Sequence, residues 1–193
     1  MNKLAHGIAV KLIEKNFLDI NKKDEYIYVI ETSLEKFLSY MFVLVIAVLT
    51  GSLIQSIIFL VLFVNIRGKT GGFHMNTYVK CLVSTIALYL LLSSVVIPVL
   101  FNYYTVSYFI FCYSILCIIF IATINHPNMN MSEREFEDAK KVARLVVFIH
   151  WLFISILYIT LPRNDYIVYA MSADILCAIL MIVAKNPKNR EVV

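Results

Sequence analysis

The residues best suited to chemistry lie in the polar segment from Asn65 to Cys81, which separates two long apolar stretches. This segment contains three of the five glycines of the chain, one histidine (His74) and one cysteine (Cys81). A cysteine thiol can form a covalent acyl intermediate when a neighbouring imidazole takes its proton. The segment therefore predicts a nucleophilic site at Cys81, with His74 as its partner.

The spacing of His74 and Cys81 sets a condition on the backbone. Seven residues along one straight helix correspond to a rise of about 10 Å, whereas proton transfer requires about 3 Å between the two groups. The chain must therefore bend between them, and Gly71 and Gly72 allow the backbone angles that a bend requires. We expect a break before Cys81, so that the thiol lies at the start of the next helix. The helix N-terminus and the neighbouring Lys80 then both favour the thiolate.

Two basic residues of the same segment are candidates for binding a substrate. Arg67 and Lys69 precede the glycine pair, where a cation can hold a peptide carboxylate or stabilise an oxyanion. A structural interpretation stands beside this one, because membrane cysteines commonly fill space and loop histidines are commonly solvated. The concentration of glycine, basic side chains, thiol and imidazole in one segment distinguishes this pair from an arbitrary His/Cys pair of a membrane protein, and both interpretations stay open at this point.

The composition is that of a membrane protein. The 193-residue chain is 61% hydrophobic and 16% charged, with a mean hydropathy of +0.80. Soluble domains are about half apolar and about a quarter charged. Runs of about 20 apolar residues predict transmembrane helices. Four such runs follow the polar segment, at residues 81–101, 106–124, 145–161 and 166–184.

The apolar region 37–66 predicts two more spans. Gly51 and Ser52 divide it, which indicates a helical hairpin with short or partly re-entrant arms. The first arm has an alternative, earlier start, because residues 26–30 are also apolar. The sequence thus predicts an all-α polytopic membrane protein of about six transmembrane helices, forming a single integral membrane domain over residues 1–193.

The polar segments at the N-terminus and in the loop 125–144 have their own patterns. Within residues 1–24, the apolar side chains of 3–17 share one helical face, which predicts an amphipathic helix in the headgroup plane. Packing against the inner surface of the bundle is the alternative. In the loop 125–144, Ser132 and Glu135 form a capping box that predicts the start of the helix leading into the fifth span.

The distribution of basic residues predicts the orientation. With six crossings, one side of the membrane receives every Lys and Arg except Arg163. Basic segments stay in the cytoplasm, so both termini and the His74/Cys81 segment are predicted to be cytoplasmic, facing anionic lipid. The spacing and location of the four cysteines favour neither a disulfide framework nor a zinc site, and no metal or cofactor is expected. Three cysteines are interpreted as apolar filler within spans: Cys112, Cys117 and Cys177.

Asp174 falls in the middle of the sixth span. A carboxylate there is costly and is by default a functional candidate. It could orient His74 as a third member of the site, pair with Ser172 or His150, or remain protonated within the bundle. The structural options are favoured, since no motif covers this residue.

The candidate site residues occur in a fixed order, Arg67-x-x-x-Gly71-Gly72-x-His74, followed by Cys81. This order resembles the signature of the accessory gene regulator B (AgrB) family, the membrane cysteine endopeptidases of Gram-positive quorum sensing. Chain length, the charged N-terminal segment and the arrangement of spans are also similar. The mixed charge of the loop 125–144 departs from the strongly basic loop of many members, which bears on precursor specificity.

The resemblance implies an enzyme of the cytoplasmic membrane that forms a homodimer and acts on a short AgrD-like precursor peptide, with no nucleic-acid partner. Cys81, activated by His74, would release the C-terminal tail of the precursor and hold the remainder as a thioester. A thiol or hydroxyl of the precursor would then close a thiolactone or lactone ring. The alternative is a non-enzymatic transporter or peptide-export subunit that uses Asp174 and the polar loop.

Overall fold

The computed structural model describes residues 2–15, 23–70, 78–123 and 133–185, which are helical apart from short turns. The helices are α1 (Asn2–Glu14), α2 (Lys23–Leu49), α3 (Leu53–Thr70), α4 (Tyr78–Leu91), a π-helical turn (Leu92–Val96), α5 (Ile97–Asn102), α6 (Tyr104–Ile121), α7 (Glu133–Thr160) and α8 (Asp165–Lys185). In this described part, six helices are long and apolar enough to cross a membrane, α4 and α5 counting as one. The predicted all-α polytopic fold is confirmed.

Successive spans run in opposite directions, as contacts between α6 and α7 show. Arg144, early in α7, donates a hydrogen bond to the carbonyl of Ile119 near the end of α6, at 3.2 Å. Tyr108, early in α6, donates one to Ser155 late in α7, at 2.9 Å. We use the term basic end for the end of the bundle where α2, α4 and α7 begin and α3, α6 and α8 end. Arg163 lies at the opposite end, between α7 and α8.

The hairpin between α2 and α3 closes at the predicted glycine. Gly51 has a φ of +68°, and its amide donates to the carbonyl of Val48 at 3.2 Å. The amide of Ser52 donates to the carbonyl of Ala47 at 2.9 Å, which completes a Schellman motif. The first arm differs from the expectation of short arms. It begins at Lys23, the earlier alternative, because the apolar residues around 26–30 continue the same helix.

The core of the bundle is α8. Its residues from Ile167 to Ala178 are buried without interruption, and α3, α5, α6 and α7 all pack against it. A helix that is apolar on all sides is expected at such a central position. The outer faces of the surrounding helices expose large apolar side chains, as lipid contact requires. Polar residues of α8 are therefore held inside the protein and away from lipid.

The rod formed by α4 and α5 changes neighbours at the π turn. α4 packs against α2, whereas α5 packs against α8. Pro98 follows the turn and has no amide hydrogen to donate to Ser94, so the regular hydrogen-bond ladder is interrupted where the π turn lies. The half of the rod nearest the basic end is thereby directed towards α2.

The structure describes parts of the N-terminal segment 1–24 and of the loop 125–144. α1 packs against α2 and buries Ala9, while the place of this helix, in the headgroup plane or against the inner surface of the bundle, stays a prediction. α1 ends at Glu14, and the rest of the predicted 3–17 helix lies largely outside the described residues. α7 begins at Glu133, directly after the predicted cap, although Ser132 itself lies outside the described residues.

Candidate functional site

Cys81 lies in the first turn of α4, as expected from the sequence. α4 begins at Tyr78, and the thiol of Cys81 is half-buried. The hydroxyl of Thr85 donates to the carbonyl of Cys81 at 2.8 Å, which ties this residue into the helix. The first amides of a helix have no partner within the helix and carry a partial positive charge. The thiol is therefore placed where an anion is stabilised.

Arg67 is a basic side chain that the fold brings into electrostatic range of this thiol. It lies in the last turn of α3 and is half-buried. Its guanidinium is within electrostatic range of Tyr40 on α2, Cys81 on α4 and Cys177 on α8. Four helices thus converge on one cation. The structure brings together Arg67 and Cys81, two of the residues that the sequence selected, and adds Tyr40 to them.

The chain reverses between α3 and α4, because Ser56 early in α3 hydrogen-bonds to Tyr89 late in α4. The reversal falls between Thr70 and Tyr78, in agreement with the bend expected before Cys81. His74, Gly71 and Gly72 lie outside the described residues, so the predicted pairing of His74 with Cys81 stays a prediction.

Lys69 occupies a different environment from Arg67. Its side chain is exposed, and its backbone carbonyl accepts a hydrogen bond from Thr123 at 3.2 Å. This bond ties the end of α3 to the residues that follow α6. Lys69 therefore contributes a surface charge and a structural carbonyl, whereas Arg67 contributes the cation close to Cys81.

The region where α2, α3, α4 and α8 meet near Arg67 does not lie at the outermost level of the basic end, because two helices, α7 and α8, project further. Thr70, at the end of α3, contacts Cys177 of α8, and α8 continues for eight more residues to Lys185, about 12 Å further. α7 begins at Glu133, eleven residues or about 16 Å before Arg144 meets the last turn of α6. α7 and α8 therefore extend beyond the level at which α3 and α6 end.

Asp174 pairs with His150 of α7, one of the alternatives weighed from the sequence. Nδ1 of His150 and Oδ1 of Asp174 are 3.2 Å apart, and the two residues are 6% and 0% exposed. The second carboxyl oxygen, Oδ2, is buried and has no hydrogen-bond partner among the described residues. Ser172 bonds instead to its own helix, at the carbonyl of Tyr169, at 2.8 Å.

Cys177, interpreted from the sequence as apolar filler, makes a polar contact in the structure. It lies one turn beyond Asp174 on α8, and its Sγ is 3.6 Å from Oγ1 of Thr70. Helical periodicity could have linked Asp174 to Cys177, since residues three apart share a face. No sequence pattern connected either residue to Thr70, and none distinguished Tyr40 among the twelve tyrosines.

The fold and the site define a class, the multi-pass α-helical membrane proteins with a thiol at the start of a span and a half-buried arginine beside it. Comparison with protein families identifies the group within this class. The model of the accessory gene regulator B (AgrB) family matches residues 5–183, so the chain belongs to this family. Comparisons with curated proteins and with solved structures find no match.

Proposed function

We propose that this protein is a membrane cysteine endopeptidase that removes the C-terminal tail of an AgrD-type precursor and cyclises the remainder. Membership of the AgrB family supports a role in processing the quorum-sensing precursor peptide. The observation that carries the enzymatic assignment is the position of Cys81, in the first turn of α4 and within electrostatic range of Arg67. A thiol in such a place is suited to act as a nucleophile.

The first step transfers an acyl group to the enzyme. The Cys81 thiolate attacks the carbonyl carbon of the scissile peptide bond, and the carbonyl oxygen becomes negatively charged. Arg67 and the first amides of α4 stabilise this oxyanion. The C–N bond then breaks, and the leaving amine takes a proton from His74, which had received it from the thiol. The tail departs and the precursor remains on Cys81 as a thioester.

The second step closes the ring. A thiol or hydroxyl of the precursor attacks the thioester, its proton passes to His74, and Cys81 is released as a thiolate. The thioester keeps the acyl group activated only if water is excluded. The half-buried position of the Cys81 thiol supports this exclusion. The product is a thiolactone or lactone peptide.

The predicted orientation is part of the proposal. The enzyme lies in the cytoplasmic membrane of a Gram-positive bacterium, with both termini and the Cys81 site at the cytoplasmic face. The basic end then meets anionic lipid and the acidic part of a precursor, which the chain binds as a homodimer. The charge pattern supports this orientation, because with six crossings the sequence assigns every Lys and Arg except Arg163 to the same side of the membrane.

The test uses the full-length protein in liposomes with a synthetic precursor, followed by mass spectrometry. We expect release of the tail, a cyclic product, and a precursor adduct that maps to Cys81. Cys81→Ala should abolish all three, whereas Cys112→Ala, which removes a half-buried thiol of α6, should retain them. Release of the tail by Cys81→Ala at the wild-type rate would overturn the assignment. Uptake of intact precursor with no adduct would favour the export subunit instead.

A further inference from the structure

The buried pair formed by Asp174 and His150 has no part in the proposed reaction. Both groups are almost completely enclosed, and α8 is surrounded by protein at this level. Ionisable side chains within a membrane are costly to bury, and replacement of a buried polar pair by apolar residues is often neutral or stabilising. Stability alone therefore does not explain the pair. What such a pair does provide is a fixed register between the two helices that it joins.

The pair connects to the Cys81 site through short steps. Asp174 and Cys177 are three residues apart on α8, which is about 4.5 Å along the helix. Cys177 contacts Thr70 at 3.6 Å. Thr70 and Arg67 are again three residues apart, on α3, and Arg67 is within electrostatic range of both Cys177 and Cys81. Each step joins neighbouring helices or spans a single helical turn.

We propose that Asp174 and His150 are positioning residues for the Cys81 site. Their hydrogen bond fixes α8 against α7, and the contact of Cys177 with Thr70 then fixes the end of α3, so that Arg67 stays beside Cys81. If either helix rotates or slides, the bond breaks and leaves polar atoms unpaired in an apolar interior, which is costly. Neither residue touches the precursor. The inference rests on the proposed function only where turnover is measured.

Substitutions of Asp174 separate positioning from proton transfer. Asp174→Asn keeps a hydrogen bond to His150, because an amide can donate or accept. Asp174→Ala removes the bond. For positioning, we expect Asp174→Ala to lower kcat by about tenfold or more with little change in KM, since small misplacements near reacting groups have effects of this size. Asp174→Asn should remain within about threefold of wild type. Equal loss in both variants would overturn the proposal.

A second readout does not depend on the precursor. The rate of Cys81 alkylation by iodoacetamide, measured by peptide mass spectrometry, reports on the surroundings of the thiol. We expect Asp174→Ala and Thr70→Val to change this rate in the same direction by about threefold or more. Ser172→Ala is the matched control, because Ser172 is equally buried on α8 but, among the residues that the structure describes, bonds only within its own helix. An unchanged rate in Asp174→Ala would refute positioning even if turnover fell.

The two proposals can fail separately. If wild-type protein does not cleave precursor but Asp174→Ala still alters Cys81 alkylation, the endopeptidase assignment fails and the positioning role stands. If wild type cleaves precursor and Asp174→Ala matches it in kcat and alkylation, the positioning role fails alone. Size-exclusion profiles of detergent-extracted variants check folding. If Asp174→Ala does not fold, His150→Ala, which also removes the bond, replaces it in both assays with Ser172→Ala as the control, and values equal to those of the control would overturn the proposal.

Discussion

Substitution of Gly51 by alanine should destabilise the protein by an amount that follows from the backbone. Gly51 has a φ of +68°, and a left-handed conformation costs a residue with a Cβ about 1–2 kcal/mol. A Cβ at this position would meet no atom within 4 Å, so no steric cost is added. Alanine also restricts the unfolded chain, which returns about 0.4–1 kcal/mol. The expected net loss is about 1 kcal/mol.

A second glycine provides a control of opposite sign. Gly68 lies in the last turn of α3, and a Cβ there would also meet no atom within 4 Å. Because glycine in a helix is about 0.5–1 kcal/mol less favourable than alanine, Gly68→Ala should stabilise the protein. The two variants make the same chemical change in open space and differ only in backbone conformation.

Thermal unfolding in detergent, followed by fluorescence-detected size exclusion, measures both variants. For a chain of this length, 1 kcal/mol corresponds to a shift of about 2–4 °C. We expect Gly51→Ala to unfold at a lower temperature than wild type, and Gly68→Ala at a higher one. If Gly51→Ala matched or exceeded the wild-type midpoint, the Schellman turn between α2 and α3 would be wrong.

Three further predictions concern single contacts. Tyr108→Phe should lose about 0.5–1.5 kcal/mol of unfolding free energy, and the loss should be smaller in a Ser155→Ala background, because the two hydroxyls share the 2.9 Å bond. Arg163→Ala should lose about 0.5–1 kcal/mol of unfolding free energy in the same assay, since its guanidinium lies over the Phe101 ring, 4.2 Å from the ring centroid, in a cation–π contact. Arg67→Gln should lower kcat/KM by about 100-fold, as loss of an oxyanion contact does. Arg67→Lys should recover part of this activity because it keeps the charge; equal loss in both variants would exclude an electrostatic role.

The spans were predictable because the bilayer imposes length and composition on each helix. Apolar runs located four of the six spans, and the apolar region 37–66, divided at Gly51, located the other two. The hairpin turn followed from Gly51, since few other residues adopt a positive φ. The sequence left the start of α2 open, because charged residues between 23 and 36 interrupt the apolar run although the helix continues through them from Lys23.

The site was only partly predictable. Cys81 at the start of a helix follows from local residues, because glycine and turn-forming side chains precede it. The contacts of Asp174, Thr70 and Cys177 depend on which helices pack together and on their relative depth. Apolar periodicity does not specify these quantities in a bundle whose helices are apolar on most faces. The partner of Asp174 was therefore one of several possibilities until the packing of α7 against α8 selected His150.

The location of Cys81 relates the fold to the proposed reaction. Its half-buried thiol is directed by the fold to the neighbourhood of Arg67 and Tyr40, while Val79 and Val83 on the same helix are exposed and apolar. The thiol thus lies at the boundary between the packed interior and the lipid-facing surface. A precursor associated with the membrane could reach a thiol in this position without separating α8 from its neighbours. The hydrogen bond between Asp174 and His150 can therefore stay intact through the reaction. A positioning role requires that the bond stays intact, whereas a role in proton transfer does not.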